Sequence, residues 1–500
     1  MKILMMTNTY APIVGGLEKS IDVFSEAFRK MGHTVKIIAP DFEAAEESEH
    51  VVRVPALPNV HGTKFSIALP TPEFVANFIK EYQPDIIHAH HPFLVGDMAL
   101  RIAGQYRIPL VFTYHTMFEQ YTDYFGLDME AVQAFVIKLA SGFANLCDHV
   151  IVPSESIKKI LIDRKVKTPI AVVPTGVDVE SFKNGNRDRL RNKFNLQEDT
   201  YVIGNLGRIS SEKNLLFLGS AVSQYLAENQ KAHFLVVGSG PAEEKFKDLF
   251  SERGVSDRLH LAGVLTGRDL VDAYYAMDVF AFASKSETQG MVVTEAMASG
   301  LGVIALDAPG VREVVKDKEN GRLLAKESRD DFVDALKWHF EISETEKQKI
   351  KEKALRTAGD FSMDNSSKEA LRIYKVTRFI QEYSEQRWNN WSNILDRLKT
   401  EWDMLKNIGE AAGGAIISQA FDRKIFRGKI LDLFDDRYED FLKKIKKEKA
   451  EQKDSTEARD IQMKVVEMRS ELENLLESIE SYFKVEEEKL TKNHKDVKSL

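Results

Sequence analysis

Two glutamates eight positions apart, Glu287 and Glu295 in the stretch SETQGMVVTEAMASG (286–300), stand on either side of a glycine and a short apolar run. Carboxylates bind vicinal diols well, because each oxygen accepts hydrogen bonds. On one continuous helix the two side chains would be turned roughly 80° apart at 3.6 residues per turn, and would not share a face. Gly290 suggests another arrangement: a loop carries Glu287, a helix begins near Met291, and Glu295 lies about one turn inside it. The unpaired N–H groups at such a helix start, and the positive end of its dipole, favour a phosphate. Arg208 and Lys213 in GNLGRISSEKN follow a strand-like run and stand five residues apart, where both can reach one diphosphate. A sugar nucleotide with its phosphates at this helix start offers two hydroxyl-rich groups; Glu287 would face the hexose and Glu295 the ribose. Exposed acids and solvated loop cations are the alternative reading of the same residues.

Histidine is the next chemistry-bearing type. His88, His90 and His91 fall in DIIHAHHPFLVG, and His115 in PLVFTYHTMFEQ. A metal site is not expected from them: no Cys or Asp stands at ligand spacing, and HAHH on a strand turns its side chains to opposite faces. No Asp-x-Asp ends a strand-like run in either half, and FDDRYED at 434–440 lies in the helical tail. Gly15 and Gly16 in TNTYAPIVGGLEKS fall between a first strand and a helix, where they allow close approach of backbone to a phosphate. The absence of G-x-G-x-x-G there disfavours a dinucleotide cofactor. Cys147, the one cysteine, excludes an intramolecular disulfide and reads as a small buried residue in a reducing compartment.

The elements that must position these residues follow from the hydropathy pattern. Strand-like runs alternate with amphipathic helical stretches from Lys2 to about residue 180, and a second such series begins near Tyr201. Each series predicts a parallel sheet wrapped by helices. The expected organisation is α/β: residues 1–185 as one Rossmann-like domain with a return helix at about 361–385, residues 195–360 as a second, and the polar ESFKNGNRDRLRNKFNLQED as linker. Residues 386–500 carry no strand signal. Trp388, Trp391, Leu395, Leu398, Trp402 and Leu405 repeat at heptad spacing, as do Ile461, Val465, Met468, Leu472, Leu475, Ile479 and Tyr482, which predicts a coiled-coil module and a homo-oligomer. Five hundred residues with 43% hydrophobic and 29% charged side chains fit a globular protein of several parts, and a net charge of −8 argues against general nucleic-acid affinity. No stretch reaches the length of apolar sequence that spans a bilayer, so any membrane contact is expected to be peripheral.

The Glu-x7-Glu pair, with GRISSEKN and VVGSGP before it at suitable distances, resembles the retaining glycosyltransferases of family four. The resemblance covers about residues 1–385 and implies the GT-B fold, two Rossmann-like domains facing a cleft. It assigns the transferred sugar to Glu287, the ribose hydroxyls to Glu295, and the diphosphate to Arg208 and Lys213. Gly15, Gly16, Gly238, Gly240, Gly290, Met291 and Val292 complete the implied donor site. His115 matches the family's histidine near the reacting sugar, with a hydrogen-bonded core histidine as the alternative. The implied chemistry needs no metal and no cofactor: the cations and the helix dipole stabilise the leaving diphosphate. Retention ordinarily suggests a carboxylate nucleophile, which the sequence does not show, and the family permits a front-face internal return instead. VFTYHTMFEQYTDYF and RVPALPNVHG look most like the acceptor loops of bacterial diacylglycerol glucosyltransferases, which implies a UDP-sugar donor, a lipid acceptor and a cytoplasmic protein reaching the inner membrane face. A glycan or small-molecule acceptor, an epimerase or phosphorylase on the same architecture, and a scaffold whose tail carries the function are the rival readings.

Overall fold

In β1 (Lys2–Met6) every residue from Ile3 onward is buried, an unalternating apolar run of the kind that a sheet covered on both faces requires. In this computed structural model, which describes residues 1–385 except 14, 43–47, 58–66, 69–71 and 118–128, together with Met404 and Asn407, that strand is the centre of the first domain. Beside it run β2 (Thr34–Pro40) and β3 (Val51–Val54), while β4 (Ala56–Leu57) and β5 (Ile67–Ala68) form a small antiparallel ladder. The domain is completed by β6 (Ile86–Ala89), β7 (Leu110–Thr113), β8 (His149–Val152) and β9 (Ile170–Val172). All seven long-sheet strands are parallel, in the order β3-β2-β1-β6-β7-β8-β9.

The second domain repeats the plan with β10 (Tyr201–Leu206), β11 (Ala232–Val237), β12 (Leu259–Gly263), β13 (Val279–Phe282), β14 (Gly302–Leu306) and β15 (Gly321–Leu324). Its parallel order is β12-β11-β10-β13-β14-β15. The direction of winding reverses between β1 and β6 in one sheet and between β10 and β13 in the other. Open α/β sheets bind ligands outside the carboxyl ends of the strands at such reversals. Gly15 and Gly16 follow β1, His90 and His91 follow β6, Arg208 follows β10, and Glu287 follows β13, so both reversals carry the residues singled out by chemistry.

The polar stretch read as linker is structured. It holds the helix Arg187–Lys193, which packs on the helix Gly267–Ala276 and buries Leu190 and Arg191. Burying a guanidinium requires partners, and Arg191 has them: Ala276 O at 3.0 Å, Thr200 O at 3.2 Å and the Asp278 carboxylate at 2.8 Å. The local polarity that suggested a linker is a helix whose charges have tertiary partners.

The return helix Met363–Glu385 crosses back to the first domain, where Ala370, Leu371, Ile373 and Tyr374 join the core beneath the helix Gly16–Lys30. The two passages of the chain between domains lie side by side: Val177 N donates to Phe361 O and Met363 N to Val177 O, both at 2.9 Å. Gly176 permits this, since a Cβ there would stand 2.2 Å from the Cα of Met363. No described helix is long and apolar enough to cross a membrane. The two predicted heptad seams lie outside the described residues, apart from Met404 and Asn407 between their positions.

Candidate active site

The helix predicted after Gly290 spans Met291–Ala298, and Gly290 precedes it with φ +74°, a left-handed conformation that a glycine adopts without steric cost. Glu287 stands in the loop before it and Glu295 inside it, as the spacing required. Each of the two carboxylates holds a lysine. Lys213 Nζ donates to Glu287 Oε1 at 2.7 Å, and Lys19, from the helix Gly16–Lys30 of the other domain, pairs with Glu295 Oε1. Glu295 is only 3% exposed, and its second oxygen accepts from the Tyr274 hydroxyl at 2.9 Å. Burial, with the Glu295 charge adding to it, raises the Tyr274 phenol well above its ordinary range, which keeps it a donor. Arg208 is exposed on the loop after β10 and forms no ion pair among the described residues.

Glycines shape the floor under these charges. A Cβ at Gly238 would lie 2.0 Å from Gly207 O, and one at Gly240 would lie 2.2 Å from Ile209 O. The loops after β10 and β11 therefore touch backbone to backbone, and Gly238 N donates to Gly263 O at 2.8 Å to bring in the end of β12. Gly16 faces the other way: its Cβ position is 3.9 Å from Met291 Sδ, so the glycine loop of the first domain meets the helix start of the second. Val292 follows Met291 on that helix and receives the Tyr274 hydroxyl at its carbonyl, 3.3 Å away.

Across the cleft the histidines form one cluster. His88 and His90, two apart on one side of the strand end, have ring centroids 4.1 Å apart, and His90 Nδ1 meets His115 Nε2 at 2.9 Å. His91 turns away, as strand alternation predicted, to Thr7 Oγ1 at 3.2 Å and the Asn8 N–H at 3.1 Å. His88 is bonded at both nitrogens, to Thr113 Oγ1 at 2.6 Å and to the Tyr374 hydroxyl of the return helix at 2.5 Å. Burial pushes His88 down to about 3 and His91 to about 4, and burial together with the neighbouring imidazoles holds His90 and His115 well below 6.5. His115 is thus held neutral at physiological pH. Among the described residues no cluster of three metal-ligating side chains occurs.

The loop of Glu287 is drawn against His115. Thr288 Oγ1 donates to His115 O at 2.8 Å, Ser154 Oγ donates to Thr288 O at 2.8 Å, and the buried Gln289 amide is bonded at both ends to the Thr175 backbone, at 2.6 and 2.7 Å. These bonds bring the loop of Glu287 and the histidine cluster to one cleft. Beside Glu295 a cavity of about 420 Å³ opens between the domains, with Lys19, Phe182, Arg268, Leu270 and Met291 in its walls.

Comparison with known proteins agrees with this geometry. Residues 14–181 match the model of Glycosyltransferase Family 4, and residues 186–356 match that of Glycosyl transferases group 1. An alpha-monoglucosyldiacylglycerol synthase of Streptococcus pneumoniae is 33% identical over 330 residues, 65% of this chain and 75% of the relative. The chain belongs to glycosyltransferase family 4. A second family 4 relative, the alpha-monoglucosyldiacylglycerol synthase of Acholeplasma laidlawii, is 25% identical over 64% of this chain and 84% of its own length. A GDP-mannose-dependent alpha-mannosyltransferase of Corynebacterium glutamicum is 28% identical over 65% of this chain and 76% of its own. Among solved structures, Anabaena Alr3699/HepE in complex with UDP and glucose superposes with a TM-score of 0.60 over 75% of this chain and all of that one, at 21% identity. Sucrose-phosphate synthase from Thermosynechococcus elongatus reaches 0.62 over 75% of this chain and 98% of that one, also at 21% identity. The fold of this family 4 enzyme is therefore GT-B.

Lys19, Tyr274, Thr288, Gln289 and Tyr374 were not anticipated. Lys19 stands in GLEKS directly after the glycine pair, and Thr288 and Gln289 lie between Glu287 and Gly290. Their neighbourhood was a signal, but their partners lie in the other domain.

Proposed function

We propose that this family 4 enzyme is a retaining, metal-independent hexosyltransferase that moves a hexose from a UDP-sugar to a membrane lipid of the diacylglycerol type. The observation that carries the reading is the pair of carboxylates on either side of one helix start, each held by a lysine. The diphosphate takes the helix N-terminus, where Arg208 and the remaining protons of Lys213 stabilise the charge that grows as the C1–oxygen bond breaks. Glu287 aligns the hexose, Glu295 the ribose, and neutral His115 hydrogen-bonds the sugar beside its reacting carbon. The acceptor hydroxyl enters on the face from which the diphosphate leaves. A departing phosphate oxygen takes the hydroxyl proton as the new C1–oxygen bond forms. The cavity beside Glu295 has the size of small-molecule sites and accommodates the nucleoside.

The lipid acceptor is supported by the two glucosyldiacylglycerol synthases among the relatives and by Leu94. This residue is 43% exposed at the N-cap of the helix Val95–Tyr106, in the connection that follows β6, with φ +56°. An exposed apolar side chain held in a costly backbone conformation is a reason to look for an apolar ligand. The mannosyltransferase relative supports a GDP-mannose donor as the second reading. Replacing the two glutamates separates their roles. Glu287→Gln is expected mainly to lower turnover, because that contact aligns the reacting centre, and Glu295→Gln mainly to raise the donor KM. Steady-state kinetics that move identically in both variants would reject the assignment.

A further inference from the structure

Met404 and Asn407 lie in helical backbone three residues apart, well past the return helix, yet both rest on the first domain. Met404 is 4% exposed and belongs to the same hydrophobic cluster as Ala140, Phe143 and Ala144 of the helix Met129–Leu146. Asn407 Nδ2 donates to Leu139 O of that helix at 3.1 Å. Gly142, one turn further on, is the notch that receives it: a Cβ at this position would lie 1.5 Å from Asn407 Oδ1 and 2.4 Å from its Cγ. A buried apolar side chain, a side-chain bond to a helix carbonyl and a glycine that admits the amide are three separate marks of one docked surface.

We propose that the extension beyond the return helix docks in cis on the helix Met129–Leu146 through its Met404–Asn407 face, and so braces the helix that follows the His115 loop. The occupant is the chain's own segment: the bond of Asn407 to Leu139 and the packing of Met404 are made within one chain, and the 19 steps from Glu385 to Met404 give a tether of about 28 Å if helical, at 1.5 Å per residue, and about twice that if extended. This reading holds whatever the acceptor is.

The test uses the full chain with Cys147→Ala to remove the native thiol, and adds Gly142→Cys with Asn407→Cys. The approach of the Asn407 side chain to Gly142 puts two cysteines within disulfide reach. Under mild oxidation the expected product is an intrachain cross-link between 142 and 407, identified by mass spectrometry of non-reduced peptides. An interchain cross-link would give the seat to a second copy, and no cross-link would remove the dock; either overturns the proposal. Independently, Met404→Asp in the full chain is expected to speed amide exchange in residues 129–146 by about tenfold or more while leaving the helix Met291–Ala298 unchanged. Unchanged exchange in 129–146, or equal acceleration in both helices, would contradict a local brace.

Discussion

Glu295 is a buried carboxylate with a lysine on one oxygen and a phenol on the other; Lys19 reaches it from 276 residues away in the first domain and Tyr274 from 21 residues away in the second. Glu287 is more open and is paired with Lys213, whereas the exposed Arg208 meets no carboxylate among the described residues. The ion pairs compensate the cleft's acids, and Arg208, which forms no ion pair among the described residues, is the charge proposed to meet the diphosphate. Arg208→Ala is accordingly expected to slow transfer by roughly a hundredfold, as for loss of a contact made to charge that develops in the transition state. Turnover unchanged in a donor-saturated assay would remove Arg208 from the mechanism. The histidine cluster gives a prediction with a definite sign. Its rings are held below their unfolded value near 6.5, so their neutral form contributes stability that is complete above that pH and is lost as pH falls towards about 3 to 4. Each ring can cost up to roughly 1.4 kcal/mol per pH unit in that window. Burial raises Glu18, Asp22 and Asp148 and works in the opposite direction, so ring resonances are the cleaner readout. NMR signals of His88, His90, His91 and His115 should stay in the neutral form down to about pH 5; any of them titrating near 6.5 would show that the ring is not desolvated as described.

At the scale of elements, the site depends on where strands end and how closely their loops cross. The backbone contact of Gly238 with Gly207 fixes the path of the loop that carries Arg208, and Gly238 has φ +132°, unfavourable for any side chain. Gly238→Ala must therefore move backbone rather than a flexible side chain. Donor affinity by calorimetry is expected to fall by about tenfold or more, with a smaller loss at Gly254→Ala, whose Cβ meets nothing within 4 Å although its φ is also positive. Equal losses at the two positions would mean that backbone strain alone, not loop contact, is at work. Much of this level was legible in the sequence. The loop-to-helix change at Gly290 follows from one glycine before an apolar run, and strand alternation separates His91 from its neighbours. The close approach of His88 to His90 required knowing that both point into the protein rather than to solvent. The helix Arg187–Lys193 was not legible, because seven mostly charged residues have no amphipathic signal until Asp278 and the Gly267–Ala276 helix stand beside them.

For the whole molecule, the decisive contacts join positions that local pattern cannot connect. Lys19 and Glu295 are 276 residues apart, His115 and Thr288 173, and Tyr374 and His88 286. Two sheets, the return helix and the cleft between them were readable from alternating periodicity and from the family resemblance. The bonds that close the cleft were not, since they depend on the placement of one domain against the other. That closure ties the Glu287 loop to His115 through Thr288 and ties Lys19 to Glu295 at the edge of the cavity between the domains. The central claim, transfer of a hexose to a lipid with retention and without metal, is tested most directly by one product analysis. The full-length protein is incubated with UDP-glucose, diacylglycerol-containing vesicles and excess EDTA, and the purified glycolipid is examined by proton NMR at its anomeric position. The account predicts an α-linked glucosyl lipid formed at an undiminished rate in the chelator; a β-linked product, or transfer abolished by EDTA and restored by magnesium or manganese, would contradict it.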